Sequence, residues 1–408
     1  MTKLRFEELS FEEDAKGVKV SFLRNFYFYL NREKLLKIGD YKIEKDCIAF
    51  GNSSEMSARR KFDFLLEEGF RRLKNRLNNK DTIYVHKNSG IPLIGTNYFG
   101  IIDRGTNVIE VKPMSSCNLG CIYCSVDEGP KSKRTVDFVV EKDYLVEEFK
   151  KIAEYKGIDD VDAHINAQGE PLLYSEMVRL VKDIMSVKGV KTSSIDTNGT
   201  LLTKQLVDEL AEAGLTRINL SLNAMNQKIA QEMAGWPYNL NKVLEIARYI
   251  PTKMDLIIVP VWLTGYNDNE LPKLAKFAKE IGAGKHCPPI GIQNFLNYRF
   301  GRNPVKEQSM DSFYKRLIEL EKEHGIELRT PKEAFNVHEV KELPKPFRKG
   351  QTIEAHIVLP GRLRNEKLAA AKGRLISVPN CHLEERKKAK LRLTRTKHNI
   401  FIGELLTR

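Results

Sequence analysis

Long apolar runs are missing from this sequence: no segment approaches the roughly 18 to 20 consecutive apolar residues that a membrane-spanning helix needs. The N-terminus, MTKLRFEELSFEED, also lacks the basic region and apolar core of a secretory signal. Cysteine is scarce, with 6 residues in 408, and three of these stand alone, which is not the pattern of a disulfide framework. These absences predict a cytoplasmic protein that has no membrane partner.

Positive charge, by contrast, is abundant and is concentrated at one end of the chain. The net charge is +13, and residues 344–408 contribute +11 of it through 16 Lys and Arg against 5 Asp and Glu. The rest of the chain is therefore nearly neutral. Because a compact basic unit releases counterions from each phosphate that it neutralises, we expect a polyanionic partner such as nucleic acid.

The length and the pattern of the chain indicate several structural units, since 408 residues exceed what one hydrophobic core usually serves. From residue 106 onward, apolar strands alternate with amphipathic helices, as in consecutive βα units around a parallel sheet. Six such units make an incomplete barrel, whose reactive groups lie on loops at the C-terminal ends of its strands. We predict an α/β protein with an N-terminal α/β extension over 1–105, a partial (β/α)6 TIM-type barrel over 106–340 and a small C-terminal β-barrel over 344–408.

The alternation also predicts the individual elements. Barrel strands are expected at 106–112, 159–167, 191–196, 216–222, 254–262 and 290–296. Barrel helices are expected at 139–156, 174–187, 203–213, 239–249, 268–282 and 308–325. In the N-terminal extension, an apolar stripe at helical spacing predicts a helix over 56–77, whose basic side either is solvated or faces RNA.

Two of the predicted barrel strands carry polar side chains on one face, which alternation at a period of two creates. These side chains are Asp162, His164, Asn166 and Gln168 on the second strand, and Arg217, Asn219, Ser221 and Asn223 on the fourth. We regard Asp162, His164 and Arg217 as candidates for positioning a substrate or moving protons. The alternative is a buried network whose members satisfy one another, with His164 as a core histidine.

Three cysteines follow the first predicted barrel strand at close spacing. In VKPMSSCNLGCIYCSVDEGP, Cys117, Cys121 and Cys124 are separated by three and then two residues. This spacing lets three thiolates bind three irons of a cubane cluster and leaves the fourth iron open for chemistry. A zinc ion with His164 or His286 as the fourth ligand is the alternative, although paired two-cysteine knuckles are absent.

The CxxxCxxC spacing, with Tyr123 as the aromatic before the last cysteine, resembles the hallmark of the radical S-adenosylmethionine superfamily. The resemblance covers roughly residues 106–300. It implies a 4Fe-4S cluster whose open iron is chelated by the amino and carboxylate groups of S-adenosylmethionine. One-electron reduction through the cluster, which requires a reducing electron donor, would release methionine and a 5'-deoxyadenosyl radical that abstracts hydrogen from a substrate.

Further residues resemble the parts of that family that contact S-adenosylmethionine. Gly169, Glu170 and Pro171 resemble a GEP-like turn that contacts the amino group. A TNG turn after Asp196 suits the ribose and carboxylate, although it is also an ordinary glycine-containing turn. The complete cofactor-binding set that the resemblance implies is Tyr123, Gly169, Glu170, Pro171, Asp196, Asn198, Asn219, Ser221, Val259 and Asn294.

The C-terminal segment 348–406 shows short strands separated by turns, as in a small antiparallel barrel. It resembles the TRAM domain, an RNA-binding OB-like barrel, in its Gly350–Glu354 opening and its Thr394–Gly403 closing strand. The resemblance implies RNA, and tRNA in particular, as a partner. The predicted basic face consists of Arg362, Arg364, Arg386, Lys387, Lys388, Arg392, Arg395 and Lys397. The alternative is a basic barrel that only packs on the catalytic part of the chain.

A radical module followed by a TRAM-like barrel is also the order found in the tRNA methylthiotransferases. Those enzymes supply three more cysteines from their N-terminal domain, whereas residues 1–105 contain only Cys47. Cys287 is a candidate catalytic thiol or a structural cysteine. We predict a radical enzyme that modifies a nucleoside of tRNA or another structured RNA. The alternatives are an activase or modifier of a protein or small molecule, and a non-catalytic iron-sulfur protein that binds RNA.

Overall fold

The computed structural model describes residues 1–406 and contains strands and helices in three successive parts of the chain. The first part holds β1 Thr2–Arg5, β2 Leu9–Asp14, β3 Gly17–Phe22, β4 Phe26–Leu30, α1 Arg32–Leu36, β5 Tyr41–Glu44, β6 Cys47–Phe50, α2 Glu55–Phe70, β7 Lys74–Asn75, β8 Asp81–Val85 and β9 Gly100–Asp103. The second holds β10 Val108–Lys112, β11 Ser115–Ser116, β12 Val136–Val140, α3 Lys142–Lys156, β13 Val161–Ile165, β14 Gln168–Gly169, α4 Met177–Met185, β15 Val190–Thr197, α5 Lys204–Glu212, β16 Arg217–Leu220, α6 Gln227–Ala234, α7 Leu240–Tyr249, β17 Asp255–Ile258, β18 Val261–Trp262, α8 Leu271–Glu280, β19 Gln293–Asn294 and α9 Met310–His324. The third holds β20 Thr352–Pro360, β21 Lys367–Ala371, β22 Arg374–Val378, β23 Lys388–Arg395 and β24 Ile402–Leu405.

The barrel sheet runs in the order β17-β16-β15-β13-β10-β9. Strands β10, β13, β15, β16 and β17 are parallel, and β9 adds to the edge antiparallel to β10. The first five predicted strands and all six predicted helices are therefore present; their bounds are shorter than predicted, except for β15, which extends one residue further at each end. Because β9 lies at residues 100–103, the sheet begins before residue 106.

The predicted fifth and sixth barrel strands differ most from expectation. The fifth is divided into β17 and β18 around Pro260, which has no N–H to donate to a sheet. The sixth is reduced to β19, which pairs with β18, and to a single bridge between Ile258 and Ile290. This side of the barrel is consequently loop-rich, and the loop that follows β19 lies next to the cavity described below.

The N-terminal part contains a three-stranded sheet, β1-β6-β5, and a six-stranded sheet, β12-β8-β7-β4-β3-β2. Helix α2 packs on them through buried Phe62, Leu65 and Leu66, but it ends at Phe70 rather than at residue 77. The predicted helix is too long because Lys74 and Asn75 pair with β4 instead. Strand β12, which lies within the predicted barrel region, completes this sheet beside β8, so the two parts of the chain are interlocked.

The C-terminal part is a closed five-stranded barrel in the order β20-β21-β22-β24-β23, which confirms the predicted small β-barrel. It is not antiparallel throughout as predicted, because β22 and β24 pair in parallel. Along β23, buried Ala389, Leu391 and Leu393 alternate with exposed basic residues. The barrel packs on the rest of the chain, since Leu375 N–H donates to the Ile94 carbonyl at 2.8 Å. Thr407 and Arg408, which end the predicted 344–408 range, lie outside the described residues. Among residues 1–406, no helix combines the length and the apolar character needed to cross a bilayer.

Candidate active site

A cavity of about 320 Å³ opens at the C-terminal ends of the barrel strands, and all three clustered cysteines line it. The short pairing of β11 with β14 brings Ser116 beside Gly169 and so places Cys117 at the mouth of the barrel. A Cβ atom at residue 169 would lie 1.7 Å from the Ser116 carbonyl oxygen, which only glycine avoids. The cysteine loop, residues 117–128, is also held from helix α6, because Gly120 N–H donates to Ala234 O at 3.0 Å.

The surroundings of the three thiols fit a 4Fe-4S cluster better than a zinc ion. Leu119 N–H donates to Cys117 Sγ at 3.4 Å, and Glu128 N–H donates to Cys124 Sγ at 3.3 Å. Burial, together with the nearby Cys124, raises the pKa of Cys121 to about 12, so these groups favour the thiol form unless a cation is present. Within residues 1–406, no three His, Cys, Asp or Glu side chains converge closely enough to hold one metal ion. A cubane cluster, in contrast, takes each thiolate on a different iron.

Arg302 also holds the cysteine loop, a role that no local sequence pattern indicates. Its backbone N–H donates to Cys124 O at 2.8 Å, and its guanidinium donates to Cys121 O at 2.9 Å. The same guanidinium pairs with Asp127 at 2.8 Å. These contacts leave the sulfur atoms free to face the cavity.

Glu170 stands at the centre of the predicted GEP-like turn, and its side chain is only 1% exposed. Its carboxylate accepts from the N–H groups of Asn198 and Leu172 at 2.8 and 3.0 Å, and from the Thr197 hydroxyl at 2.8 Å. Burial raises its pKa to about 7 in spite of these hydrogen bonds. With three donors of the chain already on this carboxylate, its contribution to the cavity is to orient the turn at Thr197 and Asn198.

Asp196 connects the cavity lining to the polar interior of the barrel. It pairs with His164 Nε2 at 3.2 Å and accepts from the Asn219 amide at 2.8 Å. Burial lowers the pKa of His164, but the Asp196 carboxylate outweighs this effect, and the pKa is raised overall. His164 Nδ1 also lies 2.9 Å from the Ser194 hydroxyl. The imidazolium form therefore persists to higher pH here than in an isolated histidine.

The interior beneath the cavity contains two charged residues that the sequence reasoning missed. Lys112 Nζ donates to Asn166 at 2.6 Å and lies 3.6 Å from the Glu110 carboxylate, and both charged side chains are buried. Burial lowers the pKa of Lys112. The sequence signal for this pair is the placement of Glu110 and Lys112 two residues apart on the first barrel strand, which puts them on one face.

The predicted cofactor-binding residues divide into those at the cavity wall and those behind it. The ones at the wall are Tyr123, Gly169, Glu170, Asp196, Asn198, Ser221 and Asn294. Behind it, Pro171 is buried next to Glu170, Asn219 supports Asp196, and Val259 N–H bonds to Leu220 O at 2.9 Å. Asn223 was not predicted as a cofactor residue, yet it lines the cavity and donates to the Tyr123 hydroxyl at 2.6 Å.

The predicted catalytic residues lie below the wall or away from it. His164 reaches the wall only through Asp196, while Arg217 and Asp162 pair with each other at 3.6 Å. Cys287 is buried, and burial together with Asp255 raises its pKa to about 12. A buried thiol with a raised pKa is a weak nucleophile, which favours the structural interpretation of Cys287.

Arg362 corrects the predicted basic face of the C-terminal barrel. Its side chain is 0% exposed and donates to Glu128, to Asp137 at 2.8 Å and to the Val136 carbonyl at 3.1 Å. It therefore ties the barrel to the cysteine loop instead of facing RNA. The other predicted members of the face are exposed: Arg364, Arg386, Lys387, Lys388, Arg392, Arg395 and Lys397.

Comparisons with known proteins agree with this site. The family model described as the radical SAM superfamily matches residues 111–278. The uncharacterized protein MJ0103 of Methanocaldococcus jannaschii is 41% identical over 361 residues, which cover 82% of this chain and 83% of that protein. The GTP 3',8-cyclase of Aquifex aeolicus is 31% identical over 186 residues, which cover 44% of this chain and 55% of the cyclase, or about half its length.

Among solved structures, TYW1 with a lysine-pyruvate adduct is 20% identical with a TM-score of 0.40, covering 58% of this chain and 80% of that one. Streptococcus suis SuiB bound to S-adenosylmethionine is 14% identical with a TM-score of 0.41, covering 80% of this chain and 72% of that one. Because neither score reaches 0.5, the assignment depends on the sequence matches and on the cysteine-lined cavity. On those grounds, residues 111–278 form a domain of the radical S-adenosylmethionine superfamily.

Proposed function

We propose that this protein modifies a nucleoside within tRNA or another structured RNA by radical chemistry. The observation that carries the proposal is the attachment of a basic five-stranded barrel to the cysteine loop through the buried side chain of Arg362. A barrel that held RNA would, through this contact, have a fixed position relative to the cysteine-lined cavity.

The residues at the cavity suit the cofactors that this chemistry needs. A 4Fe-4S cluster on Cys117, Cys121 and Cys124, together with S-adenosylmethionine, would supply a 5'-deoxyadenosyl radical when both are bound. On the chain's side, Asn198 and Ser221 offer amide and hydroxyl groups at the wall. The hydrophobic cluster of Met233, Leu263 and Phe295 excludes water from one side of this region.

The substrate proposal is supported by charge and by the relatives. Exposed cations along β23, including Lys388 and Arg392, would neutralise phosphates, and small barrels bind single strands with such faces. Relatives named GTP 3',8-cyclase act, by that name, on a guanine nucleotide. Because the similarity to them is confined to part of the chain, a free nucleotide is the second candidate substrate.

The test is anaerobic incubation of the reconstituted, dithionite-reduced protein with S-adenosylmethionine and bulk tRNA from a strain that lacks the gene. Mass spectrometry then measures 5'-deoxyadenosine and the digested nucleosides. We expect a new nucleoside mass that depends on the protein and on S-adenosylmethionine. Formation of 5'-deoxyadenosine with GTP but without a change in RNA would favour the second candidate. An intact cluster without cleavage of S-adenosylmethionine would indicate a non-catalytic RNA-binding protein.

A further inference from the structure

A second cavity, of about 800 Å³, lies on the other side of the cysteine loop from the cysteine-lined cavity. Gly120 and Asp127 of that loop form part of its wall, and Leu363 and Arg364 of the C-terminal barrel form another part. Helix α6 contributes its C-terminal cap, Gly235, and the following Trp236. This second cavity, which we call the basic cavity, therefore lies where the cysteine loop, the C-terminal barrel and the loop after β19 meet.

The lining of the basic cavity is strongly cationic. Its six basic side chains are Lys131, Lys133, Arg134, Arg299, Arg302 and Arg364. Among the described lining residues the acid is Asp127, and Arg302 already neutralises it at 2.8 Å. Arg134 is buried and donates to Val126 O and Phe300 O at 2.7 and 3.1 Å, which fixes the cavity floor. The exposed cations at the rim are thus left to face an anion from outside.

Two exposed aromatic rings accompany these cations. Trp236 is 38% exposed and Phe300 is 49% exposed, and both line the cavity. The Arg299 guanidinium lies 5.1 Å from the centre of the Phe300 ring. Large aromatic rings at a wet, cationic rim are the arrangement that binds nucleic-acid bases by stacking and phosphates by charge.

We propose that the basic cavity binds a nucleotide of a single-stranded RNA segment next to the nucleoside that enters the cysteine-lined cavity. This inference rests on the proposed function. The cavity's size suits one phosphate-bearing nucleotide, since ligand pockets of about 300 to 1,000 Å³ hold small molecules. A concave pocket fits a splayed nucleotide better than it fits the surface of a folded acidic redox protein.

The two cavities are close enough to hold one strand. Tyr298 lines the cysteine-lined cavity and Phe300 lines the basic cavity, and two residues of extended chain span at most about 7 Å. The backbone two residues before Arg364 is held in place, because Thr135 N–H donates to the carbonyl oxygen of Arg362 at 3.0 Å. The C-terminal barrel therefore contributes directly to the wall of the basic cavity.

The experiment measures tRNA binding at several salt concentrations and 5'-deoxyadenosine formation, with dithionite as the reductant and, in a parallel series, with an acidic redox protein in its place. The test variant is Lys131→Glu with Arg364→Glu. Its matched control is Lys276→Glu with Lys315→Glu, which reverses two exposed cations outside the lining. Each double variant has a net charge of +9 instead of +13, because each of its two substitutions replaces a positive charge by a negative one. Trp236→Ala, with Phe64→Ala as its exposed aromatic control, tests stacking.

We expect the test variant to lower the salt slope of tRNA binding by about 2, one for each lost phosphate contact, and the control to leave it nearly unchanged. Trp236→Ala is expected to weaken binding about fivefold to 150-fold. Equal loss in test and control variants would overturn the inference while leaving the proposed function standing. Absence of tRNA binding by the unmodified protein would overturn both. The test variant could also bind tRNA normally and turn over more slowly only when an acidic redox protein replaces dithionite. That result would assign the cavity to the electron donor and overturn the inference.

Discussion

Arg362 and Glu128 form a buried, two-pronged ion pair between the C-terminal barrel and the cysteine loop, with Nη2 and Oε2 3.1 Å apart. Their side chains are 0% and 3% exposed. Burial raises the pKa of Glu128 to about 7 although the arginine opposes that effect. The backbone N–H of Glu128 also donates to Cys124 Sγ. Glu128 therefore links Arg362 of the C-terminal barrel to one of the three clustered cysteines.

Replacing Arg362 by Ala should therefore destabilise the protein and its cysteine loop together. Breaking a buried pair leaves Glu128 and Asp137 without their cation, which costs about 3–5 kcal/mol. Chemical unfolding measures this loss, and the iron content of the reconstituted protein should fall in parallel. Arg392→Ala, at an exposed position on β23, should change the free energy of unfolding by less than about 0.5 kcal/mol. Equal effects of the two substitutions would contradict the bridging role of Arg362.

The cysteines should separate into two classes when they are replaced. Cys121→Ala removes one of three cluster ligands, and we expect loss of bound iron and of S-adenosylmethionine cleavage. Cys287→Ala should retain both, because this buried thiol lies outside the lining of the cysteine-lined cavity. Iron and sulfide analysis with the visible absorption of the reduced and oxidised protein distinguishes these outcomes. Loss of turnover by Cys287→Ala with a full cluster would restore its candidacy as a catalytic thiol.

The cysteine motif, the βα alternation and the C-terminal barrel could be predicted because each is written in local spacing. The role of Arg362 could not be predicted, because composition counts a cation without showing whether it is buried. Arg362 is buried because it pairs with Glu128 and Asp137, which are more than 200 positions away in the sequence. Strand β12 was missed for a related reason: its residues 136–140, which are apolar apart from Asp137, precede a helix, and only pairing with β8 makes them a strand. Long-range partners, and not local propensity, decided both positions.

The His164–Asp196 pair should give stability a defined pH dependence. The pKa of His164 is raised in the folded state, because Asp196 outweighs the opposing effect of burial. Its contribution is therefore fully present below the unfolded histidine pKa of about 6.5 and is lost as the pH rises through the folded value. Asp196→Asn should cost about 1.5–3 kcal/mol near pH 6, as expected for a hydrogen bond to a charged group, and less at higher pH. Unfolding curves between pH 6 and 9 measure the difference, and a pH-independent gap between the two proteins would refute it.

Glu170 should control S-adenosylmethionine binding by shaping the turn at Thr197 and Asn198 rather than by assembling the cluster. In Glu170→Gln, an amide N–H₂ replaces one acceptor oxygen and faces donors of the chain, so a buried donor loses its partner. Such a loss costs about 1–3 kcal/mol, and we expect roughly fivefold to 150-fold weaker S-adenosylmethionine binding at unchanged iron content. Equilibrium binding to the reconstituted protein measures this, with Glu384→Gln at an exposed position as the control. Unchanged affinity would mean that the turn bearing Asn198 is not part of the binding surface, whereas loss of iron would place Glu170 in support of the cysteine loop.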